Sequence, residues 1–109
     1  MKIFSFGKEV SRPMSRYQSI SISYSQITEI ANPSKIGCMY IEPKGIAGIH
    51  QAPSPQLFLV VQGEGWISRE DESRIPVTAG QGVFWERGEM HESGSDTGMT
   101  IIIVQCDEL

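Results

Sequence analysis

The sequence predicts an all-β domain. Strand-like apolar runs recur at short intervals between residues 36 and 106, and turns rich in glycine, proline or acidic residues separate them. Almost no segment repeats its apolar residues with a helical period. Many short strands joined by such turns are typical of a β-sandwich or a β-barrel. We therefore expect less than about a tenth of the chain in helix, against the usual third of a globular protein.

The predicted strands follow one another along the whole chain. The segment 17–27 alternates isoleucine and tyrosine with serine, which predicts a half-buried strand, suited to the edge of a sheet. The other predicted strands are 36–42, 46–52, 56–62, 65–70, 75–79, 82–87 and 99–106. Because 109 residues without a linker or an internal repeat suit one compact core, residues 1–109 are predicted to form a single domain.

The composition argues against two classes of partner. The net charge is −4, and the nine Lys and Arg residues are scattered, so the basic surface of a nucleic-acid-binding protein is missing. The longest uninterrupted apolar run, 57–61, is too short to span a membrane, and the N-terminal segment lacks the apolar block of a secretory signal. We expect a cytoplasmic protein in which Cys38 and Cys106 are buried thiols rather than a disulfide.

The two histidines, His50 and His91, both lie beside strand-like runs. Because strand side chains alternate, His50 and Ala52 are expected on one face. The turn at 53–55 is expected to carry the chain back beside itself, which can place Gln56 on the same wall. His91 follows another strand after a glycine that permits a tight turn. The spacing therefore allows these side chains to converge inside a barrel without requiring it.

Two segments resemble the sequence motifs of the cupin superfamily. The first motif is a glycine, then His-x-His, a glutamate and a closing glycine. In segment 45–63, His50 matches the first histidine, Ala52 stands at the second, Gln56 stands at the glutamate, and Gly63 closes the motif.

Segment 80–95 resembles the second motif. Gly80, Gly88 and His91 match it, whereas Glu86 and Ser95 replace its proline and asparagine. The likeness covers roughly residues 34 to 106. It implies a double-stranded β-helix barrel of jelly-roll topology with 17–27 as an N-terminal strand, a pocket between the sheets, and often a homodimer formed through N-terminal strands.

The resemblance also implies a metal site, typically of three histidines and one glutamate. Here His50, Gln56 and His91 remain as candidate ligands. A carboxamide oxygen is neutral, so such a site would hold Zn²⁺, Ni²⁺, Fe²⁺ or Mn²⁺ weakly, with water or substrate completing the shell. The metal would act as a Lewis acid on a small organic molecule. The alternative is a metal-free binding or sensing module in which the same groups form hydrogen bonds. Whether any reaction is catalysed stays open.

The pocket wall has apolar candidates as well. Ala52, Phe58 and Trp85 are predicted to line the pocket, and Phe84 is a further aromatic candidate. Aromatic residues in strands nevertheless belong more often to the core than to a binding site.

Three glutamates lie close to His91 in the sequence: Glu86, Glu89 and Glu92. On an extended chain Glu92 points away from His91, and the other two are expected at a solvated rim. The segment 91–96 is predicted as a turn, so we do not expect a catalytic triad there.

Overall fold

The computed structural model describes residues 1–15, 18–21, 23–29, 35–70, 72–107 and 109. Within these ranges the chain forms ten strands and a short 3₁₀ helix at Lys8–Val10. The strands are β1 Lys2–Ser5, β2 Arg12–Pro13, β3 Ser23–Tyr24, β4 Lys35–Ile41, β5 Gly45–Gln51, β6 Gln56–Arg69, β7 Ile75–Thr78, β8 Gln81–Trp85, β9 Met90–Ser95 and β10 Met99–Gln105. The prediction of an all-β chain with almost no helix is confirmed.

Eight of the strands form two antiparallel layers that share β6. The first layer has the order β1-β8-β6-β10-β4, and the second has the order β5-β9-β6-β7. The N-terminal half of β6 pairs with β8 and β10, and its C-terminal half pairs with β7 and β9. One long strand therefore passes from one layer to the other, as the predicted jelly-roll barrel requires. β2 and β3 form a separate two-stranded sheet.

Gly63 lies where β6 leaves the first layer. Its φ is +83°, a left-handed conformation that favours glycine, and a Cβ at this position would collide with the carbonyl oxygen of Gly98. The register between β6 and β10 shifts nearby, between Thr100 and Ile101. A β-bulge of this kind bends a strand and increases its twist, which lets β6 continue into the second layer without a turn.

The hydrophobic core fills the space between the two layers. This interior core comprises Ile41, Ala52, Phe58, Val60, Ile67, Val77, Val83, Trp85, Met99 and Ile101. A second apolar cluster covers the outer face of the first layer and comprises Leu57, Leu59 and Val104 with Phe4, Phe6, Phe84, Ile102 and Leu109. Side chains of β6 alternate between the two clusters, as expected of a strand with both faces covered.

Several sequence-based expectations about the strands are wrong. The segments 56–62 and 65–70 form one strand, so there is no turn between them. The segment 91–96, predicted as a turn, lies in β9 except for its last residue. The turn at 53–55 does not fold the chain back beside itself, because β5 pairs with β9 rather than with β6. That connection instead crosses from the second layer to the first.

The predicted N-terminal strand 17–27 is strand only at Ser23–Tyr24 among its described residues. Gln18 and Ser21 both have a φ of +59°, which an extended strand does not accommodate. Residues 17 and 22 lie outside the described residues.

The cysteines also differ from expectation. Cys106 is buried, as predicted, but Cys38 is exposed on β4, and neither of these two cysteines forms a disulfide. Within the described ranges, no helix is long and apolar enough to cross a membrane.

Candidate functional site

The two histidines meet at one end of the barrel. The register of β5 and β9 places His50 directly opposite His91, after a bulge in β5 between Ala47 and His50. Their ring centroids are 4.3 Å apart, and the rings are tilted by 58°. His50 is exposed, whereas His91 is buried. The structure thus brings together two of the three candidate metal ligands, one at the surface and one beneath it.

Backbone carbonyls fix the proton on both imidazoles. His50 Nδ1 lies 2.6 Å from the oxygen of Gly48, and His91 Nδ1 lies 3.2 Å from the oxygen of Glu89. Because a carbonyl oxygen only accepts hydrogen bonds, each Nδ1 carries the proton. In the neutral ring, each Nε2 then presents a lone pair, which can accept a hydrogen bond or bind a metal ion.

His91 stacks on Trp85 at the floor of this site. The ring centroids are 4.7 Å apart, and the planes differ by 19°. Burial lowers the pKa of His91, and the charge of His50 lowers it further; the backbone hydrogen bond to Glu89 and the carboxylate of Glu89 offset these effects only in part. His91 is therefore a neutral group at pH 7.

Gln56 is buried, and its side-chain amide forms a hydrogen bond with the amide of another glutamine. It is the cross-strand neighbour of both Trp85 and Gln105, and Gln105 Nε2 donates a hydrogen bond of 3.1 Å to Gln56 Oε1. The amide oxygen that would serve as a ligand is thus already an acceptor. Among the described residues, neither imidazole is hydrogen-bonded to Gln56.

The three predicted pocket-lining residues belong to the interior core. Ala52, Phe58 and Trp85 are all almost completely buried and pack in one cluster. Ala52 is 1% exposed, and its backbone binds the chain after β8 by accepting a hydrogen bond from Gly88 and donating one to Glu89. The further aromatic candidate, Phe84, packs in the outer cluster instead.

Arg69 is a site residue that the sequence analysis missed. The register of β6 and β9 pairs Arg69 with His91 and Ile67 with Ser93. Since Ile67 belongs to the interior core, alternation places Arg69 on the same interior side as His91. The alternation within 65–70 could have shown that Ile67 and Arg69 share a face, but the register with β9 is not visible in the sequence.

Glu89 is a second site residue that the sequence analysis missed. The expectation of a solvated rim position is wrong for this residue. Its side chain is 16% exposed and lies 3.5 Å from Arg69, measured from Oε2 to Nε. Oε1 accepts hydrogen bonds from the Met1 ammonium at 2.8 Å and from the backbone N–H of Glu86 at 3.0 Å. Burial raises the pKa of Glu89, but these hydrogen bonds and the two positive charges outweigh it, and the net pKa lies below the ordinary value.

Glu92 faces the other way, as predicted from strand alternation. Its Oε1 accepts a hydrogen bond of 3.3 Å from Ser68 Oγ, on the face of β9 opposite to His91. Glu92 therefore does not take part in the histidine site.

Two buried polar atoms in this region have no hydrogen-bond partner within the described part of the chain. They are Nε1 of Trp85, a donor, and Oε2 of Glu89, an acceptor. An unpaired buried donor such as Trp85 Nε1 costs about 1–3 kcal/mol, whereas Glu89 Oε2 retains its ion pair with Arg69. Both residues touch His91, Trp85 through its ring and Glu89 through its carbonyl. We call the group His50, His91, Trp85, Glu89 and Arg69 the histidine site.

The donor set fits a divalent metal ion only in part. His50 and His91 supply two imidazole nitrogens of the kind that Zn²⁺ and Ni²⁺ bind. Among the residues that the structure describes, however, no three His, Cys, Asp or Glu side chains form a group that could hold a metal ion. Water or a bound organic molecule would have to supply the remaining ligands.

Two surface depressions lie away from the histidine site. One, of about 820 Å³, is lined by residues of the N-terminal segment and the β2–β3 sheet, including Arg12 and Tyr24. The other, of about 510 Å³, lies beside Trp66 and β7. Both are open to solvent, and neither is lined by His50 or His91.

The comparisons with known proteins support the fold alone. No protein-family model matches the chain, and no curated protein matches it. Solved structures do match. A cupin-like protein from Thermotoga maritima superimposes with a TM-score of 0.62 and 18% identity over 66% of this chain and 56% of its own. An RmlC-like cupin family protein with a double-stranded β-helix fold from Methanocaldococcus jannaschii superimposes with a TM-score of 0.62. Its identity is 14% over 65% of this chain and 67% of its own.

A third match is a cupin-2 domain containing protein from Shewanella frigidimarina, with a TM-score of 0.59 and 18% identity over 73% of this chain and 76% of its own. The chain therefore has the cupin fold, and the resemblance seen in the two motifs is confirmed at that level. The chain spans 56% of the length of the T. maritima cupin-like protein. It spans 60% and 62% of the lengths of two further matched structures.

Proposed function

We propose that the protein binds a small organic molecule at the histidine site. The observation that carries this proposal is the pairing of His50 with His91 across two strands, at 4.3 Å between ring centroids and with Trp85 stacked beneath. An exposed imidazole beside a buried one offers a ligand two polar groups at different depths. Small-molecule sites commonly place a few polar groups in such an apolar wall.

The binding groups act as hydrogen-bond partners in this proposal. The Nε2 atoms of both histidines are available as acceptors, because each Nδ1 is tied to a carbonyl. Gln56 stays in the wall through its bond to Gln105. We further propose that the protein works in the cytoplasm, which its composition favours.

A divalent metal ion is the second candidate, favoured by the same fixed tautomers. His50 and His91 would hold the ion, which would polarise an oxygen of the bound molecule as a Lewis acid. With two imidazoles and no carboxylate ligand, we expect weaker binding than at a site with three or four protein ligands.

Zn²⁺ titration calorimetry tests the metal candidate. We expect His50→Ala and His91→Ala each to weaken Zn²⁺ binding by at least about tenfold, or roughly 1.4 kcal/mol. Glu92→Gln is the matched control, because it removes a charge close to His91 in the sequence but on the other face of the strand, and it should leave the affinity unchanged. Equal Zn²⁺ affinity in wild type and in both histidine variants would exclude a metal at this site.

Chemical-shift mapping tests the proposed function itself. Wild-type protein is titrated with a library of small polar organic compounds, and the side-chain N–H signal of Trp85 is followed, with Trp66 on the outer face as internal reference. We expect shifts for Trp85 that the double variant His50→Ala/His91→Ala abolishes. Shifts that persist in the folded double variant would place binding elsewhere.

A further inference from the structure

The unpaired atoms of the histidine site define which kind of molecule fits it. With Nδ1 hydrogen-bonded to a carbonyl oxygen, the Nε2 atoms of His50 and His91 face away from that bond and can accept a hydrogen bond. Glu89 Oε2 is a buried acceptor without a hydrogen bond, and Trp85 Nε1 is a buried donor without one, among the described residues. A complementary ligand must therefore donate to several acceptors and accept from at least one donor.

We propose that the ligand is a neutral molecule carrying several hydroxyl groups, of the polyol or monosaccharide class, held by hydrogen bonds to His50, His91, Glu89 and Trp85. This inference rests on the proposed function. A hydroxyl group both donates and accepts, so neighbouring hydroxyls satisfy an acceptor and a donor with the same chemistry.

An anionic ligand fits the site less well. A carboxylate has only acceptor atoms, so it would face the lone pairs of two imidazoles and the negative charge of Glu89. Arg69 offers limited compensation because it already lies near two carboxylates, with Glu89 at 3.5 Å and Glu72 at 3.8 Å. Charge repulsion close to a partly buried carboxylate is weakly screened.

A cationic ligand is also disfavoured. An ammonium group has donors but no acceptor, so it would leave the N–H of Trp85 unpaired. It would also meet positive charge, since Arg69 and the Met1 ammonium both lie next to Glu89. Of the three charge classes, a neutral hydroxylated ligand alone offers donors to the imidazole and carboxylate acceptors and an acceptor to the Trp85 N–H without adding a charge.

His50 and Arg69 are the exposed members of the histidine site. His50 is exposed, and the Arg69 side chain is 43% exposed. The contact of Glu89 Oε2 with Arg69 Nε is longer than a good hydrogen bond. A hydroxyl group that reaches Glu89 Oε2 replaces this long contact with a shorter one.

A matched pair of probes tests the ligand class. Sorbitol and gluconate carry comparable hydroxylated chains and differ in one terminal carboxylate. Each is titrated into wild-type protein while the Trp85 and Trp66 side-chain N–H signals are followed. We expect sorbitol to shift Trp85 and not Trp66, and gluconate to bind at least about tenfold more weakly, or roughly 1.4 kcal/mol.

Two variants connect this preference to the residues. Glu89→Gln removes the charge and keeps the shape, so it should bring gluconate to within about threefold of sorbitol, or roughly 0.7 kcal/mol. Glu92→Gln is the control and should leave the preference unchanged. Trp85→Phe keeps an aromatic ring but removes the donor, and it should weaken sorbitol binding; this variant is read by a thermal-shift titration.

Failure of the ligand class and failure of the proposed function give different results in these experiments. Gluconate binding more tightly than sorbitol, and lost in His50→Ala/His91→Ala, would overturn the ligand class and leave the proposed function intact. Sorbitol binding that persists in that double variant would overturn the proposed function as well. No response to either probe in folded wild-type protein would overturn the ligand class.

Discussion

His50 and His91 have similar surroundings in the sequence but make different contributions to the folded state. His91 is 3% exposed and stacks on Trp85, whereas His50 is exposed and is held by one bond to Gly48. We expect His91→Ala to lower the free energy of unfolding by about 2 kcal/mol, because it opens a cavity against a buried ring. His50→Ala should change it by less than about 0.5 kcal/mol.

Urea denaturation of both variants measures this difference. The slope of the transition should stay the same, so that the midpoints report stability alone. Equal losses in the two variants would show that the stacking on Trp85 contributes no stability.

Ala52 shows how a family motif can be misapplied to a single residue. The motif suggests room for a second histidine there, yet Ala52 is 1% exposed within the interior core. We expect Ala52→His to cost about 1–3 kcal/mol by overpacking, with Ala47→Ser on the preceding strand β5 as a milder control. A thermal unfolding midpoint that does not fall would mean that the core has space beside Ala52.

The histidines of the site could be predicted from the sequence, but their charged neighbours could not. His50 and His91 occupy motif positions, which fix their place in the fold. Arg69 and Glu89 reach the site through the β6–β9 register and the turn before β9. Both depend on pairing between distant segments, which local patterns do not encode.

At the scale of elements, the prediction of turns was wrong where glycine lies at a bend within a strand. The glycines at 63 and 65 predict a turn, but the chain continues as one strand of 14 residues, β6. Glycine has the same conformational freedom in a turn and in a bulge, so composition does not separate them. Strand content could be read from the alternation, whereas the passage of β6 between layers could not.

Gly63 therefore carries a specific stability prediction. An alanine there would adopt a φ of +83° and place its methyl group against the Gly98 carbonyl. We expect Gly63→Ala to cost about 2–3 kcal/mol. Gly37→Ala is the control, because a Cβ at Gly37 meets nothing within 4 Å, and it should be neutral to within about 0.5 kcal/mol. Equal unfolding midpoints in guanidinium chloride would contradict this role of Gly63.

At the scale of the whole molecule, the described residues leave the β4 edge of the barrel uncovered. β4 is the last strand of the first layer and pairs on one side with β10. Its outward residues include Ile36, which is 61% exposed, and Tyr40, which is 70% exposed. Edge strands with exposed apolar side chains tend to pair with another chain.

We predict that a second copy of the chain covers this edge and forms a homodimer through β4. Two antiparallel β4 strands related by a twofold axis would extend the sheet and bury Ile36 and Tyr40 of both copies. Ile36→Lys places a charge in this apolar interface and should give a monomer. Val10→Lys, at an exposed apolar site on the 3₁₀ helix, should remain dimeric. Light scattering at micromolar concentration decides: a monomeric wild type would rule out the dimer, and an Ile36→Lys variant that stays dimeric would place its interface on another surface.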